Sequence, residues 1–263
     1  MPTPRDIYAW LEQLKGSALN ADEGAMFGDP SREITGVTVC WMPSPENIRR
    51  CADNKHELLI HHEAMLYPYP FEHQQPLNAL HWYTNTQRLE SLGCANITAT
   101  RLHGTIDQLW IFQAFAEQLG LSRVAAAGRE YHHRVFEIDP IPYEELIARV
   151  KQATGLPTLR ATSINPDRLV RKIGMPWGGM GLFVNVSYMQ DLLELARDID
   201  VMIAGETDNY GFRFCTELGI DVIETSHEIS ENIGLERFAA ALKKQFPQID
   251  VRFIEEQCIW RAR

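Results

Sequence analysis

The chain has 263 residues, 45% of them hydrophobic, which is enough for one large core or two modest ones. Its 35 acidic side chains outnumber 25 basic ones, and the net charge of −10 makes a surface that repels phosphate backbones and argues against nucleic acid as a partner. No apolar run approaches the roughly 18 residues of a membrane-spanning helix, and residues 1–6 lack the apolar stretch of a secretory signal, so a cytoplasmic protein with no membrane segment is expected.

The spacing of Ile7, Trp10, Leu11 and Leu14 predicts one apolar face on a first helix that Gly16 stops. Residues 36–41 read as a strand, residues 45–51 as a short helix opened by Pro45, and Leu58, Leu59 and Ile60 as a buried strand that delivers His61 and His62. The Pro/Tyr/His-rich stretch 67–76 reads as a loop. Residues 77–92 read as a helix ended by Gly93, residues 95–100 as a strand, and residues 106–119 as the next helix. Alternating strands and helices predict a mostly parallel sheet covered by helices.

A comparable set of units follows. Strands are expected at 134–138, 158–162, 200–204, 221–224 and 249–254, with helices at 142–153, 188–197, 209–218 and 231–245. Gly178, Gly179 and Gly181 punctuate this half. The α/β reading therefore contains two layers of similar size with a boundary near 120–133. Residues 1–125, completed by 245–263, form a first domain, and 126–244 a second. No short-period repeat or low-complexity segment suggests a solenoid or an interaction tail.

Cys40, Cys51, Cys94, Cys215 and Cys258 stand far apart without a C-x-x-C pair, so they are expected as reduced, mostly buried thiols. Nitrogen and oxygen donors are then the source of any metal site. His61 and His62 follow a buried strand, where α/β sheets place ligand crevices, and neighbours in an extended chain point apart, which suits two ions better than one. His103 and Asp107 lie four residues apart at a helix opening, as do His227 and Glu231, and this spacing puts both side chains of each pair on one helical face. Taken singly, each feature has a bland reading: surface histidines, an acid favoured by the helix dipole, or a capping turn with Ser226 or Ser230 as N-cap. Together, three strand ends carrying imidazoles and carboxylates point to a metal site. His56, His73, His81, His132 and His133 are expected in structural or solvated roles.

In order and spacing these residues resemble the NGG-one-interacting factor 3 (Nif-three-like) family, also known as GTP cyclohydrolase 1 type 2-like. The resemblance runs over nearly the whole chain through the doublet His61-His62, the H-x-x-x-D of His103 and Asp107, the glycine segment at Gly178, Gly179 and Gly181, the T-G-E-like turn Ala204-Gly205-Glu206, and the H-x-x-S-E of His227, Ser230 and Glu231. It implies two interlinked α/β domains with helix-covered mixed sheets, a dinuclear site in the cleft between them, a final strand that returns to the first domain, and toroidal homohexamers. It also implies that His61, His62, His103, Asp107, His227 and Glu231 are the metal ligands. The chain departs from the family where Glu63 replaces a usual proline and where Gly104-Thr105 replace a polar pair.

Two divalent ions held about 3.5–4 Å apart can activate a bridging water as hydroxide, which is hydrolase chemistry. Imidazole-rich ligation without thiolates suits Zn, Fe, Mn, Co or Ni. Glu206 or Glu228 is a candidate proton shuttle, although Glu206 can equally cap the helix near Asp208. The expected substrate is a small molecule, with a nucleotide as one candidate, yet no G-x-x-x-x-G-K-[ST] phosphate loop is present. A non-catalytic metal-binding scaffold or regulator is the competing reading, and an open coordination position would distinguish the enzyme from it.

Overall fold

The computed structural model describes residues 1–67 and 79–260, which form two compact units of mixed α/β structure. The first unit comprises Met1–Trp110 and Leu235–Glu256; the second comprises Ile111–Gly234 and the residues from Gln257 on. The predicted loop 67–76 lies beyond Tyr67 outside the described residues, as do His73 and the first two residues of the helix expected from 77.

In the first unit, helix α1 (Pro4–Lys15) is set at both ends by local chemistry. The Thr3 hydroxyl accepts the Asp6 N–H while the Asp6 carboxylate accepts the Thr3 N–H, and Gly16 closes the helix at φ 76°. Ile7 and Leu11 are fully buried, whereas Leu14, expected on the same face, is exposed one residue from the helix end. Strands β1 (Gly24–Phe27), β2 (Gly36–Cys40), β3 (Leu58–His61) and β4 (Thr98–Arg101) join β11 (Asp250–Phe253) in the order β1-β4-β3-β2-β11. All pairings are parallel except β1 with β4. Because β2, β3 and β4 are in register, Cys40, His61 and Arg101 lie side by side where the three strands end.

Helix α2 (Pro45–Asp53) is capped by Ser44, and helix α3 spans Tyr83–Ala95. Gly93 does not stop α3: Asn96, at φ 52°, takes the left-handed position instead, so the following strand begins at Thr98. One side of the sheet packs Cys40, Leu59 and Ala99 with Ile48, Cys51 and Leu92. Elsewhere in the unit Trp10 meets Phe246 edge-on at 5.8 Å, and Trp110 meets Phe238 at 5.2 Å.

The second sheet is mixed, as the resemblance implies, where strand and helix alternation alone predicts a mostly parallel one. Its strands are β5 (Arg123–Ala127), β6 (Arg134–Pro142), β7 (Arg160–Ala161), β8 (Leu169–Gly174), β9 (Val201–Ala204) and β10 (Asp221–Glu224), in the order β5-β6-β8-β9-β10-β7. Only β8-β9 and β9-β10 run parallel; the hairpin β5-β6, the pair β6-β8 and the edge pair β10-β7 are antiparallel. Helices α6 (Tyr143–Thr154), α7 (Val186–Leu195) and α8 (Asn209–Glu217) cover it, with Tyr143, Leu146, Leu192 and Cys215 among the buried side chains. The helical run after β4 divides into α4 (Gly104–Ile106), a π-turn (Asp107–Ile111) and α5 (Phe112–Gln118). Helix α9 starts at His227, four residues before the predicted 231, and continues to Gln245. Among the described residues no helix is long and apolar enough to cross a membrane.

Candidate metal centre

In the first unit the candidate ligands gather where β3 and β4 end. His61 is the last residue of β3 and is fully buried. Its Nδ1 lies 2.7 Å from the Glu63 carbonyl oxygen, which can only accept, so the ring proton sits on Nδ1. Burial is the largest influence on its pKa and lowers it to about 3, against the hydrogen bond to the Glu63 carbonyl, so the imidazole is neutral at physiological pH. Its Nε2 therefore carries a lone pair, and that atom is buried with no hydrogen-bond partner among the described residues. Leaving such a group unsatisfied costs about 1–3 kcal/mol.

His62 is also fully buried, with Nε2 3.2 Å from Asp107 Oδ1 and Nδ1 3.5 Å from Glu63 Oε1. His103, two residues beyond β4, places its ring 4.5 Å from that of His62, and its Nδ1 lies 3.8 Å from Asp107 Oδ2. One donor atom from each of His62, His103 and Asp107 lies within 4.8 Å of the others, the grouping a single cation requires. Burial lowers the His103 pKa, with the Asp107 charge working the other way. The His103 side chain remains 31% exposed, so this group is open on one side.

The loop that carries His103 is fixed by Glu23, a residue far from it in sequence. Glu23 accepts the N–H groups of His103 (2.7 Å) and Thr105 (2.8 Å) through Oε1, and the Thr105 hydroxyl (2.6 Å) through Oε2. Thr105 thus takes part in holding the loop. Eighty residues separate Glu23 from His103, and no local spacing signals the pair.

In the second unit His227 and Glu231 occupy the first turns of α9, with His227 Nε2 3.3 Å from Glu231 Oε1. Glu206 Oε2 lies 3.0 Å from His227 Nδ1 and accepts its proton, so Nε2 and the carboxylate oxygen face each other as two electron-pair donors. A cation or a shared proton makes that arrangement favourable. Glu206 does not cap the next helix; Asp208 does, by accepting the N–H groups of Tyr210 and Gly211. Ser226 is not an ordinary N-cap either: its φ is 92° and its buried hydroxyl has no partner among the described residues. Glu228 accepts the Ile259 N–H at 3.2 Å, which ties it to the tail.

The glycine segment frames this pair. Gly178 donates its N–H to Ser230 Oγ (2.9 Å) and its carbonyl accepts the Glu206 N–H (2.7 Å). A methyl group on Gly178 would collide with Glu231 Oε1 and stand 3.2 Å from His227 Nε2, so only glycine leaves that space. Outside these two groups, His56 is occupied between the Thr38 hydroxyl (2.9 Å) and Asp250 (3.1 Å), and His132 and His133 stack among Trp177 and Tyr188.

The fold has relatives among solved structures. Staphylococcus aureus hypothetical protein SA1388 superposes with TM-score 0.75 at 14% identity, over 99% of each chain. A Bacillus cereus protein related to NIF3 gives TM-score 0.75 at 12% identity, over 98% of this chain and 97% of the other. Reduced HcgD from Methanocaldococcus jannaschii gives 0.70 at 17% identity, over 97% and 98%. At such identities the likeness concerns the fold. No curated protein matches the chain. The model of one protein family, Duf34/NIF3 (NGG1p interacting factor 3), matches residues 4–258, almost from end to end, and the chain belongs to that family.

Proposed function

We propose that the protein is a metal-dependent hydrolase that holds two divalent ions on His61, His62, His103, Asp107, His227 and Glu231. The observation that carries this reading is the His61 imidazole: neutral, oriented by a carbonyl on Nδ1, and aiming a buried lone pair at no protein group among those described. Metal-binding histidines are held in this way, with the second ring nitrogen donating to a carbonyl or carboxylate. His227 repeats the pattern with Glu206 as acceptor. The donors are nitrogen and oxygen without thiolate, which favours Zn, Fe, Mn, Co or Ni.

Bound ions of this kind supply Lewis-acid activation of water and of an electrophile's oxygen at neutral pH. The chain's own residues do the rest. His61 and His62, locked in buried positions, fix the geometry, and the partly exposed His103 leaves an approach for a substrate, which a closed structural site would not. Glu206 is 46% exposed, holds the His227 Nδ1 proton through Oε2, and is suited to exchange a proton with the substrate through its other oxygen. The substrate in this reading is a nucleotide or related small molecule, and the working protein is a cytoplasmic homohexamer.

The test is elemental analysis of purified protein together with hydrolysis of a nucleotide and phosphoester panel, for the parent, His61→Ala, His103→Ala and Glu231→Gln. Two ions per chain and metal-dependent turnover in the parent, both diminished in each variant, are expected. Bound metal with no turnover on any substrate would identify a scaffold instead, and a parent that takes up no divalent ion under any loading condition would end the proposal.

A further inference from the structure

A second polar site lies in the second unit, on residues that the candidate metal ligands do not share. Strand β7 is a two-residue edge strand, and its pairing with β10 puts Arg160 directly across from Glu224. Helix α8 runs beside it and turns Asn209, Phe212, Arg213 and Thr216 to one side, the 3-1-3 spacing of a single helical face. These four residues and Leu159, Arg160, Ala161 and Thr162 line a cleft of about 740 Å³, within the size range of small-molecule sites.

The chemistry of the lining is one-sided. Arg160 donates from Nη1 to Glu224 Oε1 at 3.0 Å, and its guanidinium carbon stands 5.0 Å from the centre of the Phe212 ring. Those two contacts fix the orientation of a planar fork that has five N–H donors and no acceptor, so most of its donors stay available. Arg160 is 45% exposed while Glu224 is only 1% exposed, so the cation faces the cleft and its counter-ion lies behind it. Arg213, on the opposite wall, has no partner for its guanidinium among the described residues. The nearby acid Asp221 is fully buried and already engaged by the Thr162 hydroxyl (3.0 Å) and the Ile164 N–H (2.8 Å). Two arginines therefore line one cleft that has no acid in its lining, in a chain whose net charge is −10.

We infer that the cleft between β7 and α8 binds a small organic oxyanion, a phosphate ester or a carboxylate, whose charged group is clasped by Arg160 and Arg213 and whose organic part rests on Leu159, Ala161 and Phe212. A forked, pre-oriented guanidinium matches two oxygens of such a group at once, which a lone lysine does not do. Leu159, Ala161 and Phe212 beside the two arginines offer apolar contact that a bare inorganic ion leaves unused, which favours a ligand with a body as well as a charge.

The test is calorimetric titration of the full-length protein with phenylphosphonate, which resists hydrolysis, with benzoate as the carboxylate arm and phenol as the uncharged control. Saturable binding of phenylphosphonate, of benzoate or of both, but not of phenol, is expected. Arg213→Gln removes an exposed cation that supports no fold contact, and Arg160→Lys keeps a charge for Glu224 while losing the fork; each weakens binding at least about tenfold. Glu231→Gln, which alters a candidate metal ligand, leaves binding at the parental level. Absence of saturable binding in the parent, parental affinity in both arginine variants, or loss of binding in Glu231→Gln would overturn the assignment, the last by moving the anion to the metal ligands.

Discussion

Gly178→Ala isolates how the second ligand pair is framed. Gly178 has φ 50°, a left-handed conformation that costs an alanine about 1–2 kcal/mol, offset by roughly 0.4–1 kcal/mol because alanine has less freedom to lose on folding. The added methyl also meets Glu231 Oε1 head-on, with Glu231 Cδ at 3.3 Å and His227 Nε2 at 3.2 Å. Glu231 is only 2% exposed, so moving its carboxylate aside disturbs buried neighbours, and the overlap adds an overpacking cost of about 1–3 kcal/mol. The total is about 1–4.5 kcal/mol with its midpoint near 3 kcal/mol, and that midpoint is roughly 6–12 °C in Tm for a chain of this size. Gly219→Ala supplies the control: φ is 75° there and nothing lies within 4 Å of the new methyl, so it bears the backbone term alone. Thermal unfolding and metal content of both variants are the measurements. Gly178→Ala is expected to lose metal and several degrees, and Gly219→Ala about 2–4 °C with metal retained. Equal Tm losses with metal intact in both would refute the claim that Gly178 makes room for Glu231 and His227.

Glu23→Ala, which removes no candidate ligand, should weaken metal binding about tenfold or more, because three donors in the His103 loop lose their acceptor; titration against a competing chelator reads this out. Glu57→Gln tests a pH dependence. Partial burial alone would raise the Glu57 carboxyl, but the Thr35 N–H and hydroxyl and the Gly36 N–H outweigh it and hold the pKa below the ordinary 4.5. A carboxylate with a depressed folded pKa contributes stability above its unfolded value and loses it as pH falls through the folded value. Denaturant midpoints from pH 6 down to 3 should therefore fall more steeply in the parent than in Glu57→Gln. Thiol labelling at pH 8 should modify Cys94 first, because burial raises the Cys51 and Cys215 thiols to about 12 and the Cys40 thiol well above its ordinary value; fast reaction of all five before unfolding would contradict the packing. Ser226→Gly relieves a φ of 92° and gives up a hydroxyl with no partner among the described residues, so Tm should rise by a few degrees with metal content unchanged.

The sequence was informative where a residue's role is local. The apolar run before His61 marks a strand with both faces covered, and four-residue spacing places His227 beside Glu231 because both sit on one helix. Helix ends were readable where one residue type has one conformational use, as at Gly16. They were misread at Gly93, because an asparagine three residues on can adopt the same left-handed shape. Strands β1, β5 and β8 carry no legible strand signal. Gly24–Phe27 and Arg123–Ala127 are exposed or half-exposed along their length, so neither shows a clean apolar alternation. Leu169–Gly174 carries Arg171 and Lys172 in its middle. Contacts that close over long stretches of chain, such as Glu23 with His103 or Glu206 with His227, have no periodicity and become visible only in the fold.

Among the described residues, unusual backbone is concentrated at the strand-to-helix junctions that carry the candidate ligands. Of the three non-glycine residues with positive φ among the described residues, Lys55 and Asn96 sit near 55°, the ordinary left-handed basin at turns and helix ends, whereas Ser226 lies at 92° immediately before His227. His103 has φ −114° and ψ −90°, outside helix and strand alike, and Asp107 opens a π-turn, an irregularity that recurs at functional sites. A chain selected for stability alone would relax such positions, since each costs on the order of 1–3 kcal/mol. Their survival beside His103, Asp107 and His227, while the helix starts at Thr3 and Ser44 are capped in the ordinary way, is what a ligand cluster requires: side-chain directions that regular helix geometry does not supply, held by Glu23, Glu206 and the Gly178 backbone.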